Sequence, residues 1–128
     1  MAIDLASVQN WLDRYVLAWE SLDPSDIGAL FTDTVTYHAE PYATPYRSRD
    51  EVVEAWRENP DPPGSWRAAY AAVMVDGDRA VATGRSTYFE DDGTLRDVYH
   101  NVFLLTFGDQ GRCAEYREWY MREPKREA

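Results

Sequence analysis

A chain of 128 residues that is 45% apolar and 14% aromatic, with five Trp and nine Tyr, can bury one core of ordinary size and is not an intrinsically disordered segment. Its formal net charge of -10 argues against nucleic acid or an anionic membrane as partner, because neutralising phosphates takes clustered Lys and Arg. The basic residues nearest the C-terminus, Arg122, Lys125 and Arg126, alternate with Glu123 and Glu127, the pattern of a solvated, frayed tail.

From Asp4 to Leu22, Leu5, Val8, Leu12, Tyr15, Val16 and Trp19 recur at intervals of three and four, which predicts an amphipathic helix. Asp23-Pro24 supplies an N-cap and a first helical position for a short second helix carrying Ile27, Leu30 and Phe31. The β-branched and aromatic run from Thr34 to Glu40 predicts a strand closed by Pro41, and a loop continues to Arg47. Ser48 and Glu51 form a capping box opening a third helix with Val52, Val53 and Trp56, which Pro60 ends.

The proline-rich connector 60–64 separates these elements from four predicted strands, Trp66 to Val75, Arg79 to Glu90, Leu95 to Phe107 and Arg112 to Arg122. Asp76-Gly77, Asp92-Gly93 and Gly108 to Gly111 supply hairpin turns for an antiparallel meander. The expected architecture is a single α+β domain over residues 1–128, its helices gathered on one face of a bent sheet with a pocket at the open end. Both parities of the strand 95–107 are apolar, Val98, Val102 and Leu104 against Tyr99, Phe103, Leu105 and Phe107. This predicts a covered outer face, either by a second copy in a homodimer or by the chain's own tail.

No apolar run approaches the ~20 residues of a membrane span, and the opening Met1-Ala-Ile-Asp-Leu lacks a basic region followed by an apolar stretch, so a cytoplasmic location is expected. Cys113 is the single cysteine, which excludes an internal disulfide and a CxxC zinc site and suits a small buried residue. His38, Glu40, His100 and Glu118 are the chemistry of a metal site, but no HExxH-like spacing supports one, and no metal or other cofactor is expected.

Three stretches carry a family resemblance. Val8-Gln, Asp13-Arg-Tyr-Val16 and Asp26-Ile-Gly-Ala-Leu-Phe-Thr-Asp33 come first, then Arg47-Ser-Arg-Asp-Glu-Val52, then Phe107-Gly-Asp-Gln-Gly-Arg112. In this order the chain resembles the nuclear transport factor 2-like superfamily, in particular its ketosteroid isomerase and SnoaL-like polyketide cyclase branch. The resemblance spans essentially the whole chain. It implies the cone-shaped, cystatin-like form of the α+β class, with three N-terminal-side helices on a curved, mostly antiparallel sheet.

It also implies roles. Tyr15 falls on the position of the tyrosine that binds a substrate oxyanion, Glu40 on that of the carboxylate base if one loop residue is added, and His100 on that of the protonated acid beside the tyrosine. Such a trio can remove a proton α to a carbonyl and stabilise the charge left on oxygen. Glu for Asp and His for a carboxylic acid both depart from the isomerase pattern and weigh against a steroid substrate.

Strand parity adds His38 beside Glu40, Arg85 with Val81 and Thr83, and Tyr116, Glu118 and Tyr120 on one face. With Trp19 and Trp56 these are the expected substrate-binding residues, lining a pocket more polar than a steroid site. The competing readings are structural. Tyr15 and the tryptophans Trp19, Trp56, Trp66 and Trp119 suit a core or pocket wall, Glu40 a solvated cap, the histidines a core, and Arg85 and Glu118 a mutual ion pair. Two functions stay open: a cofactor-independent isomerase, cyclase or dehydratase acting on a small oxygenated molecule, and a non-catalytic ligand-binding or dimerisation domain.

Overall fold

The computed structural model describes residues 3–125, so Arg126 and Glu127 of the expected tail lie outside the described residues. Helices α1 (Leu5–Ser21) and α2 (Pro24–Gly28), strand β1 (Phe31–His38) and helix α3 (Arg49–Glu58) precede four strands. These are β2 (Trp66–Asp76), β3 (Arg79–Phe89), β4 (Leu95–Phe107) and β5 (Cys113–Arg122). They form one five-stranded sheet in the order β1-β5-β4-β3-β2, antiparallel except for the parallel pair β1 and β5. Among the described residues no helix is long and apolar enough to cross a membrane.

Local chemistry sets the helix ends. Asp4 and Ser7 exchange side-chain and backbone hydrogen bonds in a capping box at α1, and the Asp23 carboxylate accepts from the Ser25 and Asp26 amides at α2. At α3 the Ser48 hydroxyl accepts from the Glu51 amide, but the Glu51 carboxylate reaches one residue further back, to the amide of Arg47. The α1 stripe buries Val8, Trp11, Leu12, Tyr15 and Ala18 and leaves Leu5 exposed. Trp11 is the largest fully buried side chain, and its Nε1 donates to the Leu30 carbonyl at 2.9 Å, so the turn after α2 loses no buried hydrogen bond.

Strand β1 starts three residues before the expected Thr34, because Phe31 pairs with Cys113 at the head of β5 and packs in the core. Strand β2 is a sheet edge, and α1 covers part of it. The Gln9 side chain donates to the Tyr70 carbonyl at 3.0 Å and accepts from the Ala72 amide at 2.9 Å, as a neighbouring strand would. Gly84 of β3 faces this region, where a Cβ would stand 2.1 Å from the Ala69 carbonyl oxygen.

The inner face of the sheet carries Ala80, Ala82, Ser86, Asn101, Phe103, Leu105 and Tyr116. The outer face carries the in-register row Thr83, Val102 and Trp119 beside the row Arg85, His100 and Met121. Val102, Trp119 and Met121 are exposed there, so among the described residues nothing covers this face, and Trp119 belongs to it rather than to the core. Within the described part of the C-terminal segment Glu123 is held to the sheet: its amide donates to the Val98 carbonyl at 2.7 Å, and its carboxylate meets His100 Nε2 at 2.8 Å.

Candidate functional site

A cavity of about 510 Å³ lies between α1, α3 and the inner face of the sheet. Tyr15 and Trp19 of α1 and Trp56 of α3 form its helical wall, and Tyr37, Tyr70, Tyr88, Tyr99 and Tyr120 line it from the strands. The rings brace one another. Tyr15 meets Trp56 edge-on at 5.1 Å, Tyr37 lies flat on Tyr116 at 4.1 Å, and Trp19 stacks on Trp66 at 3.8 Å.

Beneath this wall runs a continuous polar network. Tyr116 donates to Glu118 Oε1 at 2.6 Å, and Asn101 Nδ2 donates to Glu118 Oε2 at 2.8 Å. The Asn101 amide oxygen accepts from Ser86 at 3.0 Å, the Tyr70 and Ser86 hydroxyls lie 2.6 Å apart, and those of Tyr15 and Tyr116 2.9 Å apart. Each hydroxyl has a single hydrogen. Ser86 uses its own on Asn101, so Tyr70 donates to Ser86, and Tyr116 uses its own on Glu118, so Tyr15 donates to Tyr116. Both arms therefore point every hydrogen at Glu118, an arrangement that an ionised carboxylate receives on both oxygens.

Burial pushes the Glu118 carboxyl above the ordinary carboxylate range, and the hydrogen bonds from Tyr116 and Asn101 oppose it without cancelling it. Burial likewise holds the phenols of Tyr15, Tyr37, Tyr70 and Tyr116 well above their usual value, so they remain donors. A titratable carboxylate at the floor of an aromatic cavity, flanked by neutral phenols, can take up and return a proton and can present hydrogen bonds to an oxygen beside it.

Of the residues singled out from the sequence, Tyr15, Trp19, Trp56, Glu118 and Tyr120 line the cavity, and Tyr116 lies directly behind it. The other four, His100, Arg85, His38 and Glu40, are placed elsewhere. His100 and Arg85 face each other across the β3–β4 pair on the outer face, so neither His100 nor Arg85 reaches the pocket, and an Arg85–Glu118 ion pair is excluded. The inward residues of β3 are Ala80, Ala82 and Ser86, not Val81, Thr83 and Arg85. Along β4 Asn101, Phe103, Leu105 and Phe107 keep one unbroken inward parity, so counting back from the Gly111-Arg112 turn to His100 goes one residue too far. Asn101 holds the inward position.

His38 and Glu40 do not share a face, because β1 ends at His38. His38 stands in register with Arg117, on the side opposite Tyr37 and Tyr116. Glu40 reaches only the rim, where its carboxylate accepts from Tyr120 at 2.6 Å and pushes that phenol up to about 12. The base position implied for Glu40 is thus outside the polar network, and Glu118 is the carboxylate inside it. Among the described residues no group of three or more His, Cys, Asp or Glu is placed to hold a metal ion.

Sequence reasoning missed Tyr70, Ser86, Asn101 and Arg96. Tyr70 and Ser86 were detectable in principle, as inward positions two and four residues from small inward neighbours. Asn101 was hidden because both parities of its strand are apolar, so alternation did not mark the inner side.

Among curated proteins none matches the chain by sequence. A similar solved structure is an LEH-like epoxide hydrolase from Mycobacterium tuberculosis, with a TM-score of 0.67 and 13% identity over 91% of this chain and 84% of that one. Others are an NTF2-like protein of unknown function from Burkholderia pseudomallei (TM-score 0.70, 17% identity, 90% and 91% covered) and a candidate ketosteroid isomerase from Kribbella flavida (0.70, 16%, 98% and 85%). At these identities the likeness is one of fold, the nuclear transport factor 2-like α+β fold. The model of the SnoaL-like domain matches residues 12–116, from the first helix to the tyrosine that feeds Glu118, and the chain belongs to that family.

Proposed function

We propose that the chain is a cofactor-independent acid–base enzyme of the isomerase, cyclase or dehydratase type, acting on a small oxygenated molecule, with Glu118 as its base. The observation that carries this reading is the convergence of both hydrogen-bond arms on one part-buried carboxylate at a cavity floor. In the reaction Glu118 removes a proton from carbon next to a carbonyl, and the C–H electron pair moves into the carbonyl to give an enolate oxygen. The proton then returns from Glu118 to another atom of the same molecule, so no co-reactant is consumed.

The network couples the two halves of that step. Once Oε1 carries the proton it donates to Tyr116, Tyr116 donates to Tyr15, and the Tyr15 hydrogen is released toward the cavity, where the enolate oxygen needs it. Tyr15 thereby keeps the oxyanion-binding role that the family resemblance implies. The test is deuterium wash-in from D2O, followed by proton NMR, across a panel of aryl ketones and β-keto acids. Exchange by the wild type that falls about 10²–10⁴-fold in Glu118→Gln supports the reading. Ligands that bind without exchanging would favour a non-catalytic binding domain.

The exposed Val102, Trp119 and Met121 support a second element of the proposal, a homodimer through the outer sheet face.

A further inference from the structure

We propose that the ligand of this pocket is a planar, conjugated carboxylate, and that Arg96 orients it at the mouth. The inference rests on the reading of the cavity as a substrate site. Ordinary alternation along β4 would send Arg96 to the side of Val98 and His100, away from the cavity. Instead the β3–β4 register runs from Tyr88 opposite Asp97 to Phe89 opposite Leu95, which leaves Arg96 as the extra residue of a bulge. A bulge re-aims its side chain, and Arg96 lines the cavity.

The side chain is held from behind and open in front. Its guanidinium lies 5.4 Å over the ring of Tyr88, itself a cavity wall, and its Nε stands 3.6 Å from Asp97 Oδ2. Those contacts leave the two terminal nitrogens with no hydrogen-bond partner among the described residues, on a side chain that is 45% exposed. Among the described residues lining the cavity Arg96 is the one cation, in a chain of net charge -10. Asp61, on the connector at the same mouth, does not come within ion-pair distance of it.

The cavity is therefore polarised. Its floor holds a carboxylate that repels anions, and its mouth holds a planar fork of N–H donors matched to a carboxylate's two oxygens. Between them stand the rings of Tyr15, Trp56 and Tyr88, which favour a flat, conjugated body. Only one orientation satisfies both ends, with the carboxylate at Arg96 and the uncharged, proton-yielding end at Glu118.

Isothermal titration calorimetry with matched pairs tests this: benzoate and benzamide, cinnamate and cinnamamide, 2-naphthoate and 2-naphthamide. For the wild type, at least one carboxylate should bind about tenfold or more tighter than its amide, the effect of a charge-assisted hydrogen bond. Arg96→Gln should bring that carboxylate to the level of its amide and leave the amide within about twofold, and Arg96→Lys should restore part of the preference. The inference is overturned by equal binding of acids and amides to the wild type, by Arg96→Gln weakening both alike, or by no carboxylate of the panel binding. Turnover is not read, so absent deuterium exchange counts only against Glu118 as base, and a missing carboxylate preference counts only against Arg96.

Discussion

Glu118→Gln separates the cost of burying a charge from the hydrogen bonds that offset it. In the unfolded chain the carboxyl titrates near ~4.3, and in the fold burial raises it. Below the unfolded value Glu118 is protonated in both states and burial carries no charge penalty. As pH rises through the folded value the penalty appears in full, about 1.4 kcal/mol for each unit by which the folded pKa exceeds the unfolded one. Gln has no charge to bury. With its oxygen toward Asn101 and its nitrogen toward Tyr116 it keeps both partners, provided Tyr116 turns its hydrogen to Tyr15. Urea unfolding of both proteins from about pH 4 to pH 8 reads the difference directly. The variant should gain on the wild type as pH rises and then level off above the folded pKa. A gap that does not move with pH would mean that the two donors balance burial, and one that moves toward the wild type that they outweigh it; either result would refute the proposed elevation of the base.

Tyr15→Phe keeps the ring contacts and removes the donor to Tyr116, so it should cost about 1 kcal/mol in chemical denaturation and abolish any exchange activity that Glu118 supports. Gly84→Ala drives a Cβ against the Ala69 carbonyl and Tyr70, and it should cost about 3 kcal/mol or more, read as a collapse in soluble yield or unfolding midpoint. Gln9→Ala removes both hydrogen bonds that α1 makes to the edge of β2; about 1–2 kcal/mol should be lost, with faster hydrogen exchange at the Ala72 amide. Val102→Glu places a charge in the middle of the exposed outer face, and light scattering after gel filtration should show a wild-type dimer become a monomer; a wild-type monomer sinks the dimer proposal.

Much of the fold was legible because its signals are local. The α1 stripe is a helical period, the Asp23 and Ser48 caps act within three residues of themselves, and the hairpin turns carry their glycines at fixed offsets. On β5 the shared face of Tyr116, Glu118 and Tyr120 was legible from period two, since all three lie beyond the register shift at Ala114, and the family resemblance marked that face as the inner one. The site was less legible. On β4 both parities are apolar, so alternation could not say which side is inner, and a count one residue too long put His100 in the place of Asn101. Arg96 was hidden by a register shift and Glu40 by the end of β1, two features that parity counting passes through unseen.

By itself, then, the sequence determined the element order, the α+β class and the presence of a pocket walled by aromatic residues, because periodicity, capping and turn chemistry act over a few residues. Tertiary structure alone decided which of several carboxylates becomes the buried one. Glu118 differs from Glu40 by the donors that β4 and the neighbouring tyrosine aim at it. That aim depends on how three strands are registered against each other, a relation between segments distant in the chain.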